Sequence, residues 1–228
     1  GETAWLYGRV HPYQDIYDWT DYDTLVKFAE TYQKDIIGHS LVYHDYLPDW
    51  LSGFQGSEQE WEAILKDHIQ TIVSRYKGKI DSWIVVNEAF NEDGTLRNSI
   101  WKKNIGASYI SKAFLWAHQA NPEAKLFYND YNLALNRNKL EAVLQLLRSL
   151  KSSGVPVHGV GCQLHIFDQF PEVQEINDMA LKIQQSDFLV YYSEMDISLN
   201  LNETHSSPTD AMLMRQKRRW HPSRTSTG

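Results

Sequence analysis

Five short apolar runs in this chain close on side chains that can move protons or grip hydroxyl groups. His39 and His44 flank GHSLVYH, Asn87-Glu88 ends WIVVNE, Asn129-Asp130 ends KLFYND, Gln163 and His165 end GVGCQLH, and Glu194 and Asp196 end LVYYSEMD. Taken singly, each reads as a structural histidine or a solvated acid. Five in succession, each after an apolar run, are better explained by convergence on one site. The two glutamates, set among amides and imidazoles, suit cleavage of a glycosidic bond: one carboxyl group protonates the leaving oxygen while the other attacks the anomeric carbon from the opposite face.

Facing each other across a closed barrel mouth, the two carboxyl groups would stand roughly 5–5.5 Å apart, the spacing of a retaining double displacement. The acid must carry its proton at working pH, so burial and the neighbouring negative charge should raise its pKa. In this arrangement His165, oriented by Asp196, holds the ionised Glu194, and Asn87 grips the sugar 2-hydroxyl. A metal is the rival for these residues, since the chain has nine His and 29 Asp and Glu. The spacing argues against it: His39 and His44 fall on an expected strand, where positions five apart point to opposite faces, and there is no HExxH motif or Cys cluster. No metal or other cofactor is expected.

The elements that must position these residues are legible in the hydrophobic period. Strands are expected at 35–43, 82–87, 125–129, 157–164 and 188–196, and amphipathic helices at 22–32, 58–76, 108–120, 139–152 and 173–184, an alternation that implies βα units on a parallel sheet. Gly78 and Gly154 punctuate two helix ends. In a parallel βα fold the C-terminal strand ends form the functional face, which is where the polar residues fall.

The length of 228 residues suits one domain. We expect it over 1–201, with 202–228 a polar, then basic, disordered or atypical tail. A formal net charge of −7 argues against a nucleic-acid partner, and no run of 18 apolar residues exists to span a membrane. The single Cys162 excludes an intrachain disulfide and leaves the redox compartment open. Eight Trp and 13 Tyr are many for this length, and flat rings suit the apolar face of a pyranose; most are still expected to be core or ordinary surface.

On these motifs the chain resembles glycoside hydrolase family 10, the β-1,4-xylanases, over roughly residues 2–200. WIVVNEAFNEDG resembles the acid/base motif and YYSEMDIS the nucleophile strand, which assigns Glu88 and Glu194 as catalytic and Asp196 as a partner behind the nucleophile. GHSLVYHDYLPDW resembles the family's Gly-His-Thr-Leu-Val-Trp-His stretch, with Tyr43 at the Trp position. The resemblance implies substrate contacts from Glu2, His39, Tyr43, His44, Asn87, Tyr131, Gln163 and His165, with Asn132 on the leaving-group side.

It further implies a TIM (β/α)8-type barrel, incomplete here and covering about strands 2 to 7. The expected activity is endo-acting, retaining hydrolysis of xylan or xylo-oligosaccharides by a secreted or periplasmic protein. Two departures stand out: Thr3 replaces an Asn and Leu6 a Lys in the opening motif. Trp220 lies in an unfamiliar context and carries no assigned role. Absent first and eighth strands would expose barrel edges and invite self-association. A catalytically impaired xylan-binding relic, a fragment needing complementation and a β-glucanase of the same family are the alternative readings.

Overall fold

The computed structural model describes residues 7–167 and 170–198. In chain order the elements are α1 (Tyr7–Val10), α2 (Thr20–Tyr32), β1 (Ile37–Val42), α3 (Asp49–Ser52), α4 (Glu58–Arg75), β2 (Ser82–Asn87), α5 (Ile100–Ile105), α6 (Tyr109–Ala120), β3 (Lys125–Tyr131), α7 (Arg137–Ser152), β4 (Gly159–Phe167), α8 (Val173–Gln185) and β5 (Leu189–Ser198). The five strands form one sheet in the order β1-β2-β3-β4-β5, with every neighbouring pair parallel. Sequential parallel strands joined through helices are the repeating unit of the barrel expected above. The sheet is a partial one, built from the five strands whose bounds were expected; the opening motif at residues 2–6 and the 201/202 boundary fall outside the described residues.

The expected long helices form within about two residues of their assigned ends, because their apolar faces keep the helical period. In α4 the buried set Trp61, Leu65, His68, Ile69, Ile72 and Val73 lies on one face, and Ser57 and Glu60 close its start as a reciprocal capping box. In α7 Leu140, Val143, Leu144, Leu147 and Leu150 face the sheet, and Asn136 caps the helix by accepting from Lys139 N–H at 3.0 Å. The one-turn helices α1 and α3, and the short α5, have no periodic signal long enough to read and were not expected.

In β2, Trp83, Ile84, Val85 and Val86 are all buried, so both faces of this strand are covered, as a parallel sheet under helices requires. Expected strand 125–129 runs on to Tyr131, and expected strand 157–164 starts two residues later and continues to Phe167. Both extensions carry the polar strand ends further towards one rim. Register shifts occur between His39 and Val42, between Ile84 and Val86, and between Gln163 and His165. A bulge of this kind re-aims the side chains that follow it.

At the far edge, β5 pairs only with β4 among the described residues. Its consecutive Tyr191 and Tyr192 are both exposed, as are Leu189, Met195 and Ile197, so the described residues cover neither face of this strand well. No helix among the described residues is long and apolar enough to cross a membrane.

Candidate active site

Glu88 sits one residue past the end of β2, in a left-handed backbone conformation (φ 54°). A non-glycine residue there is strained, and such strain persists only where the surroundings over-determine it. Here they do. Its N–H donates to Asn129 O at 2.9 Å, Arg97 Nε donates to its carbonyl at 3.1 Å, and the next N–H, of Ala89, donates to the Tyr128 hydroxyl at 2.9 Å. Glu194, inside β5, adopts the same conformation (φ 51°).

The two carboxyl groups lie in one hydrogen-bonded net. The Glu88 Oε1 accepts from Gln163 Nε2 at 2.7 Å and, more weakly, from Asn87 Nδ2 at 3.4 Å, while Oε2 accepts from the Tyr43 hydroxyl at 3.0 Å. Around Glu194 stand His39 Nε2 at 3.5 Å, His165 Nε2 at 3.3 Å and Asn129 Nδ2 at 3.4 Å. Two short bridges join the halves. Gln163 touches both Glu88 and, at 3.3 Å, His165, and Asn129 reaches both Glu194 and, at 2.8 Å, Asn87 Oδ1. Behind this layer Asp196 Oδ2 lies 3.0 Å from His165 Nδ1, which fixes the ring's orientation.

Burial dominates the electrostatics of Glu88. Burial pushes the Glu88 carboxyl up to about 7; the negative charges of Asp130 and Glu194 add to the rise, and the hydrogen bonds from Gln163 and Tyr43 oppose it. Glu194 is approached by ring nitrogens of His39 and His165 and by the amide nitrogen of Asn129.

The expected residues therefore fall into three groups. His39, Tyr43, Asn87, Gln163, His165 and Asp196 converge on the two glutamates. Tyr131 and His44 stand at the margin. The Tyr131 hydroxyl accepts from Arg97 at 3.4 Å and its ring carries the Lys139 ammonium at 3.5 Å. His44 packs edge-on against the Tyr43 ring, with Nδ1 buried and without a hydrogen-bond partner among the described residues; burial and the charges of Arg97 and Lys139 push its pKa down to about 3, so it is a neutral support for Tyr43. Asn132, expected beside the leaving group, is buried and donates to Glu92 Oε2 at 2.6 Å. Glu2, Thr3 and Leu6 lie outside the described residues.

Several contributors had no role assigned from sequence. Asn129, noted in sequence only as a polar strand end, is the bridge between the halves, held by the Ser193 hydroxyl at 2.6 Å. The register Asn87↔Asn129 puts it beside the Asn-Glu pair, a signal available only once the strands are aligned. Gly161 lies against it: a Cβ there would stand 2.2 Å from Asn129 Oδ1. Below them, Lys139 of α7, fully buried, pairs with the equally buried Asp130 at 2.8 Å and with Glu92 at 3.1 Å. Burial works against the Lys139 charge, but Asp130, Tyr131 and Glu92 hold its pKa above the ordinary lysine value. Among the described residues no group of three or more His, Cys, Asp or Glu could hold a metal ion.

Comparison with known proteins places this arrangement. The family model described as glycosyl hydrolase family 10 matches residues 3–222. The chain belongs to glycosyl hydrolase family 10. Among relatives in this family, it is 37% identical over 187 residues to endo-1,4-beta-xylanase B of Thermotoga neapolitana, covering 82% of this chain and 54% of that protein. It is 38% identical to the beta-1,4-xylanase of Dictyoglomus thermophilum, covering 91% of this chain and 60% of that one. The crystal structure of xylanase 10B from Thermotoga petrophila in complex with xylobiose superposes with a TM-score of 0.83 at 35% identity, over 95% of this chain and 65% of that one. The chain thus spans little more than half the length of these curated relatives.

Proposed function

We propose that this family 10 chain carries the catalytic centre of a retaining endo-1,4-β-xylanase, with Glu88 as acid/base and Glu194 as nucleophile. The observation that carries the reading is the single hydrogen-bonded net around both glutamates: Gln163 links Glu88 to His165, which with His39 and Asn129 gathers on Glu194, and burial raises the Glu88 pKa to about 7. Relatives named as xylanases, and a structural neighbour solved with xylobiose, support xylan as the substrate.

In the first step Glu194 attacks the anomeric carbon while Glu88 passes its proton to the departing glycosidic oxygen, giving a covalent glycosyl-enzyme. Water then enters where the leaving group stood. Glu88, now ionised, takes a proton from that water, and the sugar–Glu194 bond breaks with net retention. Gln163 and Tyr43 hold the Glu88 carboxyl in both protonation states. The His165–Asp196 pair steadies the nucleophile, and the weakly engaged Asn87 Nδ2 supplies a donor for the 2-hydroxyl.

The test separates the two roles. On xylan, Glu88→Ala and Glu194→Ala should each lower the rate by about 10³-fold or more with the circular dichroism spectrum unchanged. On an aryl xylobioside whose leaving group needs no proton, Glu88→Ala should still release a first equivalent of phenol, whereas Glu194→Ala should release none. Either variant working at the parent rate on xylan overturns the assignment.

A further inference from the structure

We propose that Tyr128 is a positioning residue for the acid/base: its hydroxyl, anchored by the buried Asp130–Lys139 pair, fixes the turn that presents Glu88 to the cleft. The inference rests on the reading of Glu88 as the acid and adds a residue too deeply buried to touch substrate. Tyr128 lies on β3, fully buried, with the Phe90 ring edge-on to its own at 6.0 Å between centroids. Its hydroxyl accepts from Ala89 N–H at 2.9 Å and donates to Asp130 Oδ2.

The direction of that last bond sets what the hydroxyl can do. A phenol has one proton to give, and burial keeps it on the oxygen by holding the pKa well above the ordinary tyrosine value. Asp130 takes that proton, so the oxygen lone pairs are left for Ala89 N–H. Asp130 is itself locked: its Oδ1 accepts from Lys139 Nζ at 2.8 Å and from Tyr131 N–H at 2.9 Å, which leaves Oδ2 to the phenol. Burial raises the Asp130 pKa, but the Lys139 ammonium and the Tyr128 and Tyr131 donors oppose the rise and favour the carboxylate. A chain of ordered donors thus runs from Lys139 on α7 through Asp130 and Tyr128 to the residue after Glu88.

Glu88 needs such a tie because its left-handed backbone, at φ 54°, is a conformation that its own side chain disfavours. Other ties hold the same turn: Glu88 N–H donates to Asn129 O, and Arg97 Nε and N–H reach the Glu88 and Ala89 carbonyls at 3.1 and 2.7 Å. Arg97 is half-buried, so water can replace what it supplies. Ala89, Tyr128 and Asp130 are sealed from solvent. With Phe at 128 the buried Ala89 N–H loses its acceptor, a cost that only a change in the turn can relieve. That change moves the Glu88 carboxyl away from the glycosidic oxygen it must protonate.

The test assays Tyr128→Phe on two substrates at about pH 5, where Glu88 carries its proton. On xylotetraose, whose departing sugar needs that proton, activity should fall by about tenfold, through kcat rather than KM. On an aryl xylobioside whose leaving group needs no proton, kcat/KM should stay within about twofold of the parent's. A loss of equal size on both substrates marks a general disturbance of the fold and overturns the proposal, as does full activity on xylotetraose. If Tyr128→Phe does not fold, Asp130→Asn, which keeps the side-chain shape and weakens the hold on the phenol proton, is judged by the same split. Glu88→Ala run alongside should show the split in larger form. Without it the acid assignment fails and the role of Tyr128 falls with it; a split in Glu88→Ala and none in Tyr128→Phe ends the role of Tyr128 alone.

Discussion

A tyrosine hydroxyl stands where the family motif usually has an indole, and it donates directly to Glu88. Hydrogen bonds to the ionised form favour it, so Tyr43 and Gln163 restrain the rise that burial, Asp130 and Glu194 impose on that carboxyl. The alkaline limb of kcat/KM should therefore follow Glu88, near pH 7, because above it the acid no longer carries its proton. Tyr43→Phe removes one donor from the ionised form, which raises the Glu88 pKa further. The alkaline limb should move to higher pH by roughly half a unit to one unit. A pH profile on xylotetraose, whose sugar leaving group does need the proton, reads this; a limb displaced downward, or not at all, contradicts the role given to the hydroxyl.

The elements are tied together by charge where the site needs rigidity. The segment after β2 carries Glu92, β3 carries Asp130, and α7 reaches both through Lys139, while Asn136 Nδ2 also donates to the Glu92 carbonyl at 2.7 Å. The strand end bearing Glu88 is thus strapped to the first turn of a helix some 50 residues later. Lys139→Met would keep the length of the side chain but leave Asp130 buried without its counter-charge. Loss of one partner of such a pair costs about 3–5 kcal/mol, to be measured by urea unfolding at pH 7. A loss under about 1 kcal/mol would mean that Asp130 is neutral or finds another partner. Periodicity revealed α7 itself, but nothing in its pattern distinguishes Lys139 from the half-exposed Lys151 of the same helix.

Across the whole molecule, stability should respond to pH through a buried histidine pair as well as through Glu88. His11 and His68 face each other at 3.3 Å, both buried, with the Tyr7 ring stacked on each. Burial lowers both pKa values, that of His68 furthest. In the unfolded chain they titrate near 6.5, so the stability they contribute is full above that pH and is lost as pH falls towards their folded values. Glu88, raised to about 7, acts in the opposite sense between its ordinary value and 7. His68→Phe should flatten the slope of unfolding free energy between pH 5 and 6.5 by up to about 1.4 kcal/mol per pH unit. A slope equal to the parent's would show that these rings do not govern acid sensitivity.

The chain's own order of residues determined which strands and helices form and which polar groups cap the strands, because period, capping and turn chemistry act within a dozen residues. It also singled out Glu88 and Glu194, since both stand at the end of an apolar run. Tertiary structure alone decided that Asn129 bridges them, that Asn132 turns away to Glu92, that His44 supports Tyr43, and that Tyr46 is pinned beside Gly8. Each of those outcomes depends on how strands align or on how a distant segment docks. Such contacts join residues that local propensity cannot relate.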